Sequence, residues 1–352
     1  MTLDELEAWL RETDEELLRS LWQLADDARR QNVGGEVHLR GLVEFSNHCV
    51  RQCAYCGLRA GALGVHRYRM TEDEILGCAH AAVGFGYGTL VLQSGEDYGF
   101  TAADVAGIVR RVKDETPLAV TLSLGERTDE ELALWRQAGA DRYLLRFETS
   151  NPKLYRAIHP ALPGRASDRI VQLRRLRELG YEVGSGVMVG IPGQTYADLA
   201  RDLATFEELG LDMVGVGPYL AHPSTPLGQD AAALASATEG QVPNTELMTY
   251  KVVALTRLVC PKANIPSTTA LATVNRAQGR ELGLQRGANV VMPNITPIDY
   301  RKHYQIYPGK ACLMEDAASC HGCLSHRIRS IGRTVGQGRG DSPSHTQRCL
   351  LK

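Results

Sequence analysis

The chain has 352 residues, 43% hydrophobic and 23% charged, with a formal net charge of −2 and a pI near 6.6. That length suits one α/β barrel with additions or two modest domains, and the balanced charge gives no global basic field to draw in nucleic acid or an anionic membrane. No apolar run approaches the roughly 20 residues that span a bilayer, and the acidic, helix-like start "MTLDELEAWLRETDEELLRS" is unlike a secretory signal or transit peptide, so a soluble cytoplasmic protein is expected.

Residues 1–34 read as an N-terminal helical segment. After them, eight short β-rich runs follow in order, at 37–45, 88–95, 118–125, 141–148, 182–190, 212–218, 263–270 and 287–294. Helical patterns lie between them, among them 71–86, 128–139, 167–180 and 195–210. Several open on Thr or Ser followed by acidic residues and close on Gly, which is cap chemistry at both ends. The strand cores carry few charges, as expected when both faces of a parallel sheet are buried. Eight strand–helix alternations predict a TIM-type (β/α)₈ barrel over 35–300. Run 263–270 has the weakest strand pattern, because Pro266 cannot donate to a ladder. Residues 301–352 form a C-terminal extension with cysteines and a glycine-rich, basic tail expected to be flexible.

The unusual residues follow the strands. The cysteine-bearing "NHCVRQCAYCGLR" comes after the first run, "QSGED" after the second, "SLGER" after the third and "FETSNP" after the fourth. "GIPGQT", "GPYLAHPSTPL", "TTALAT" and "MPNITP" follow the rest. In a parallel barrel all of these converge on one rim, where barrel active sites lie, so an enzyme is expected.

Nine cysteines fall as two groups of three, 49/53/56 and 312/320/323, with Cys78, Cys260 and Cys349 isolated. Clustering without a signal peptide points to metal rather than disulfides. Cys78 and Cys260 lie in helical patterns as small core residues, and Cys349 in a polar tail. Cys49, Cys53 and Cys56 on one loop suit three irons of a [4Fe–4S] cube, leaving the fourth iron open to a chelating ligand. A zinc site is the alternative; it needs a fourth Cys or His, with His48 poorly placed and His66 remote.

The spacing C-x₃-C-x₂-C, with Tyr55 just before the last cysteine, resembles the radical S-adenosylmethionine (radical SAM) superfamily. The resemblance implies that the open iron binds the methionyl amine and carboxylate of SAM, and that reductive cleavage yields a 5′-deoxyadenosyl radical. It implies SAM contacts from Tyr55, from Ser94, Gly95 and Glu96 in a "GGE"-like element, and from Gly193 in "GIPGQT". Glu148 and Arg146 stand at a strand end where they could meet the ribose or sulfonium, with a structural Arg–Glu pair as the alternative; Arg169 is a candidate for the methionyl carboxylate.

"GVMVGIPGQT", "DMVGVGPYLAHPSTPL", "NIPSTTALAT", "GANVVMPNITP" and "YRKHYQIYPGKAC" together resemble HydE, the [FeFe]-hydrogenase maturase family, over about residues 38–335. Methylornithine synthase is a close relative of that family and biotin synthase a more distant one. The barrel strands here carry no cysteine, so a sulfur-donating internal cluster as in biotin synthase is not expected. The resemblance implies a role in building the organometallic [2Fe] subcluster, with attack on a cysteine-bound Fe(CO)₂(CN) unit supplied by HydG and hand-over to HydF, and an external one-electron donor. Expected substrate residues are Thr268, Thr269, Met292 and Tyr304, with His222 and Asn294 as further candidates. Cys312, Cys320 and Cys323 (C-x₇-C-x₂-C) lack a fourth ligand, which His321 or solvent could supply; zinc is admissible by donor type, and the resemblance implies an auxiliary [2Fe–2S] or [4Fe–4S] cluster. Two other functions fit the same motifs: an amino-acid mutase like methylornithine synthase, and an iron–sulfur scaffold or electron-transfer protein without SAM chemistry.

Overall fold

The computed structural model describes residues 1–351. Two helices open the chain, Leu3–Arg11 and Glu15–Val33. Thr2 caps the first in a reciprocal pair with Glu5, and Asp14 caps the second through the amides of Glu16 and Leu17. Both helices bury one leucine-rich stripe, Leu6, Leu10, Leu18 and Leu21, against the outside of the barrel.

Eight strands follow: β1 (Glu36–Ser46), β2 (Thr89–Ser94), β3 (Ala119–Ser123), β4 (Arg142–Leu144), β5 (Glu182–Val189), β6 (Met213–Pro218), β7 (Val290–Val291) and β8 (Thr334–Val335). The main path runs β6-β5-β4-β3-β2-β1-β7, with every pair parallel. Residues 264–266 close the ring between β6 and β7 through the bridges Met213↔Asn264 and Pro266↔Val290. The expected seventh run therefore holds its place in the barrel, but as bridges rather than a ladder. Pro266 has no N–H to give, and Thr268 already caps the next helix, Thr269–Val274. β4 is short because the Ser185 hydroxyl enters the ladder, donating to Leu145 O (2.8 Å) and accepting from Phe147 N (3.3 Å).

The predicted helices stand at Glu72–Gly84, Asp129–Gln137, Arg169–Glu178 and Tyr196–Leu209. Thr71, Thr128 and Thr195 start three of them with capping boxes. Along β1, Leu39, Val43 and Phe45 pack outward under the helices, whereas Arg40, Leu42 and Glu44 point into the barrel. Cys78 and Cys260 are buried among apolar neighbours, as expected.

The tail, expected to be flexible, is instead bonded across the barrel floor. β8 pairs with the first residues of β1, and the carbonyls of Arg339 and Gly340 then accept from inward-facing side chains. Thr89 Oγ1 and Arg142 Nη2 donate to Arg339 O (2.8 and 2.9 Å), and Arg40 Nη2 and Asn264 Nδ2 to Gly340 O (2.9 and 3.0 Å). Glycine allows this approach: a Cβ on Gly88 would overlap the Gly338 carbonyl. Among the described residues no helix is long and apolar enough to cross a membrane.

Candidate active site

The loop after β1 carries Cys49, Cys53 and Cys56 at the rim. Its backbone is tied to the neighbouring loops: Val50 N donates to Glu96 O (3.0 Å), Ala54 N to Ile158 O (2.8 Å) and Gly57 N to Ile306 O (3.0 Å). Gly95 lies so close beneath that a Cβ there would meet the His48 carbonyl and Cys49 Cβ. Burial pushes the Cys49 and Cys53 thiols up, and the Cys56 thiol up to about 12 with help from Cys49. Free thiolates are therefore disfavoured, and a cationic metal group is what would hold these sulfurs deprotonated. His66 lies tilted against His303, 4.5 Å between centroids.

Behind the loop sits a buried ion network. Arg51 Nε meets Glu96 (2.5 Å) and its Nη2 meets Glu126 (2.8 Å); Arg169 meets the same two carboxylates at 3.3 and 2.9 Å. Arg169 also donates to Arg146 O (2.6 Å) and to His159 Nε2 (2.6 Å). An arginine only donates, so His159 accepts on Nε2. Burial, with Arg169 and Arg51 beside it, drives the His159 imidazole down to about 2, so the ring is neutral. Burial works against the Glu126 carboxylate, but Arg169 and Arg51 outweigh it and hold its pKa below the usual range.

Tyr55 packs against a separate apolar cluster of Leu154, Ile158, Met188, Ile191, Tyr219 and Leu227. Gly193, at φ +94°, turns the chain beside it and donates its N–H to Gln241 Oε1 (2.8 Å). Glu148 has a left-handed φ of +63°; its Oε1 faces the Tyr55 hydroxyl at 3.5 Å and its Oε2 faces Arg146 Nη2 at 3.1 Å without hydrogen-bond alignment.

Below the loop the barrel encloses a chamber of about 290 Å³. Tyr55 and Cys56 line it from above and Arg40 from the floor, with Arg146, Glu148, Thr268, Thr269 and Met292 on its walls. Glu44 and Lys310 form a buried ion pair on another wall. Five buried polar atoms on lining residues have no hydrogen-bond partner: Arg40 Nε, Thr121 Oγ1, Arg146 Nε, the Tyr219 hydroxyl and Glu148 Oε2, the last of which is nevertheless ion-paired with Arg146 at 3.1 Å, the structural Arg–Glu pair named above as the alternative. Orphans of this kind mark a place for a polar ligand.

A family model described as the radical SAM superfamily matches residues 43–206. The [FeFe] hydrogenase maturase subunit HydE of Thermotoga maritima is 47% identical over 321 residues, 91% of this chain and 88% of that protein. The chain belongs to the radical SAM superfamily, among its HydE-like members. The 3-methylornithine synthase of Methanosarcina acetivorans is 30% identical over 99% of this chain and 93% of its own length. A crystal structure of methylornithine synthase (PylB) superposes with a TM-score of 0.81, 24% identity and coverage of 100% and 96%, a likeness of fold. Radical SAM enzymes use a [4Fe–4S] cluster and SAM, and three thiols on one loop that burial keeps protonated unless a metal cation holds them fit that cluster.

Within this HydE-like frame the expected residues divide. Tyr55, Arg146 and Glu148 meet at the chamber mouth, together with the loop over Gly95. The side chains of Glu96 and Arg169 instead bind each other's network, so their role on this geometry is to set the loop, and the Ser94 hydroxyl turns back to Gly95 O at 2.6 Å. Thr268, Thr269 and Met292 line the chamber. Tyr304 does not: it is buried behind the wall with its hydroxyl by Gln93 (3.3 Å), and Tyr307 takes the lining position. His222 lies against Gly57 outside the chamber, and Asn294 acts at one remove, donating to Glu44 Oε2 (2.8 Å). Glu44, Lys310, Arg40 and Arg51 belong to the site although the motifs do not single them out: Arg51 lies inside "NHCVRQCAYCGLR" and Lys310 inside "YRKHYQIYPGKAC", while Arg40 and Glu44 lie in no motif. For the two on β1 a signal exists: Arg40, Leu42 and Glu44 share one parity, and charges on the inner face of a barrel strand are costly without a use.

At the second cysteine group, Cys312 and Cys320 converge with the Glu315 carboxylate, all donor atoms within 4.8 Å. Cys323 is exposed one turn along the helix Ala317–Ser330 and lies outside that set. His321 is not placed as a fourth ligand: it stacks on Phe85 at 5.4 Å and meets the Tyr87 hydroxyl at 3.2 Å. Two thiols and an exposed carboxylate lie close enough to share a metal group.

Proposed function

We propose that this chain is a HydE-type maturase that acts in assembling the [2Fe] subcluster of [FeFe]-hydrogenase. When bound on Cys49, Cys53 and Cys56, the [4Fe–4S] cluster supplies the electron that cleaves SAM to a 5′-deoxyadenosyl radical. Around it, the apolar cluster at Tyr55 and the turn at Gly193 offer a face for adenine. Glu148, ion-paired with Arg146 at 3.1 Å, offers remaining acceptor capacity to ribose hydroxyls at the same mouth. Gly95 and Glu96 set the cysteine loop, with Arg169 and Arg51 holding Glu96 and Glu126, and the backbone of 94–96 is left to meet the methionyl end. The substrate, a cysteine-bound Fe(CO)₂(CN) unit from HydG, is assigned to the chamber below, against Thr268, Thr269 and Met292. Its product passes to HydF, and an external donor supplies electrons.

The observation that carries this reading is that Tyr55 and Cys56 line the same chamber as buried polar atoms of Arg40 and Arg146 that have no hydrogen-bond partner. A radical formed at the loop would face a ligand held by these groups. The identity to a HydE over most of the chain favours the maturase substrate. The 30% identity to a methylornithine synthase over nearly the whole chain supports an amino-acid mutase as the second reading.

Anaerobic reconstitution tests both. SAM should change the EPR spectrum of the reduced cluster, and 5′-deoxyadenosine should form. With HydG, HydF and apo-hydrogenase added, hydrogen evolution should appear. Formation of methylornithine from lysine would replace the maturase reading with the mutase. Cys53→Ala should abolish SAM cleavage with the barrel intact by circular dichroism, and cleavage at the wild-type rate would refute the cluster assignment.

A further inference from the structure

From Lys302 to Asp316 the chain has neither helix nor strand, yet Ile306, Tyr307 and Lys310 of this segment line the chamber. Single side-chain and backbone bonds hold it along its length: Asn47 Nδ2 donates to His303 O (2.9 Å), Gln93 Nε2 to the Tyr304 hydroxyl (3.3 Å), Gly57 N to Ile306 O, Arg276 Nη2 to Gly309 O (3.2 Å) and Ala311 N to Thr273 Oγ1 (3.0 Å), and Lys310 pairs with Glu44. Arg301 is the main tie. Its Nη1 donates to the carbonyls of Cys312 (3.1 Å) and Glu315 (2.5 Å), while Nη2 donates to Asn294 O (2.9 Å) and Thr296 O (2.8 Å) on the rim after β7. The second cysteine group and the chamber rim thus share one buried guanidinium.

The segment ends where Cys312, Glu315 and Cys320 converge. Cys320 belongs to a helix and packs in the apolar core, so it is fixed; Cys312 belongs to the irregular segment and sits at φ +60°, a conformation a non-glycine residue keeps only when its surroundings impose it. Arg280, buried, places Nη2 3.7 Å from the Cys312 sulfur, and its Nη1 has no partner. A cation left half-unpaired beside two thiols is suited to a metal–thiolate group of negative charge.

We propose that a metal group on Cys312 and Cys320 is a latch for the chamber wall. It cross-links the irregular segment to the helix Ala317–Ser330, and so holds Lys310, two residues before Cys312, against Glu44. The second cysteine group then acts by shaping the chamber, whatever substrate the chamber takes. A cross-link of this kind restricts a segment that has no helix or strand ladder of its own.

Hydrogen exchange on the reconstituted protein, with metal content measured in parallel, tests this. Cys320→Ala should lose the second-site metal and speed amide exchange of residues 304–311 at least tenfold, with β1–β5 unchanged. Lys310→Met should speed the same amides while keeping the metal, and Lys310→Arg, which retains the cation, should return them toward wild type. Loss of the metal with exchange of 304–311 within twofold of wild type would overturn the latch. For a variant that does not fold, the same comparison is made on wild-type protein before and after a chelator strips the second site, and unchanged exchange there overturns it equally.

Discussion

Lys310 crosses 266 residues of sequence to pair with Glu44 at the C-terminal end of β1, and both side chains are buried on the chamber wall. Asn294 holds the other Glu44 oxygen at 2.8 Å, and the Tyr68 hydroxyl donates to the Glu44 carbonyl at 2.6 Å. Lys310→Met leaves a buried carboxylate without its cation, so it should destabilise the protein by about 3–5 kcal/mol. Adding Glu44→Gln removes that charge, and the double variant should regain about 1–2 kcal/mol over Lys310→Met alone. Denaturant unfolding of the four proteins measures the coupling; strictly additive losses would mean that the two side chains do not act as a pair.

Gly95 joins the β2 rim to the cysteine loop by close approach. A methyl group there would stand 2.7 Å from Cys49 Cβ and closer still to the His48 carbonyl, and backbone cannot swing aside as a long side chain does. Gly95→Ala should therefore move Cys49, costing about 1–3 kcal/mol through overpacking and lowering iron incorporation at the first triplet. Iron and sulfide per chain after reconstitution give the readout. Full incorporation with an unchanged EPR signal would show that the loop tolerates the shift.

What is legible in the sequence is local. Thr71 with Glu74, and Thr195 with Asp198, announce helix starts three residues apart, and the helices begin there. The cysteine spacing and the order of rim motifs are equally local, so they suffice to place the loop at Cys49–Cys56 on the barrel rim. Tertiary relations are hidden. Lys310 finds Glu44 across most of the chain, and His321, beside two cysteines in sequence, is turned away by stacking on Phe85. Tyr304 and Tyr307 cannot be told apart by pattern, because their segment has no period to say which side chain faces in. The tail reads as flexible because glycines signal freedom, whereas at Gly336 and Gly340 they permit close contact with His38.

His159 makes stability depend on pH. Its folded imidazole, driven down to about 2 by burial and by Arg169 and Arg51, does not take the proton that the unfolded chain binds near 6.5. The unfolded state therefore holds more protons below that point, and its share of stability, complete above about pH 6.5, is lost as pH falls toward 2. His159→Gln keeps an acceptor for Arg169 and removes the titration. The stability difference between wild type and variant should shift by about 1.4 kcal/mol per pH unit between roughly pH 6 and 5. Urea unfolding at pH 7, 6 and 5 checks the slope; parallel curves would mean that the histidine charges in the folded protein.

The barrel floor separates the work of the tail's backbone from that of its side chains. Arg142 and Arg40 are buried within the barrel and reach the carbonyls of Arg339 and Gly340, while Ser342 N donates to Glu182 Oε1 at 3.0 Å. Deleting residues 336–352 would leave these groups with water or nothing. Buried groups without partners cost about 1–3 kcal/mol each, so a loss of about 3 kcal/mol or more is expected. Arg339→Ala keeps the carbonyl and removes only the side-chain bonds to Asp141 and Asp341, which lie in solvent reach and are worth less than about 1 kcal/mol. Thermal unfolding of the two variants should thus differ sharply, and amides at the starts of β1 and β4 should exchange faster in the truncated chain alone. Equal, small losses in both would mean that the tail only rests on the floor and that the inward arginines are satisfied without it.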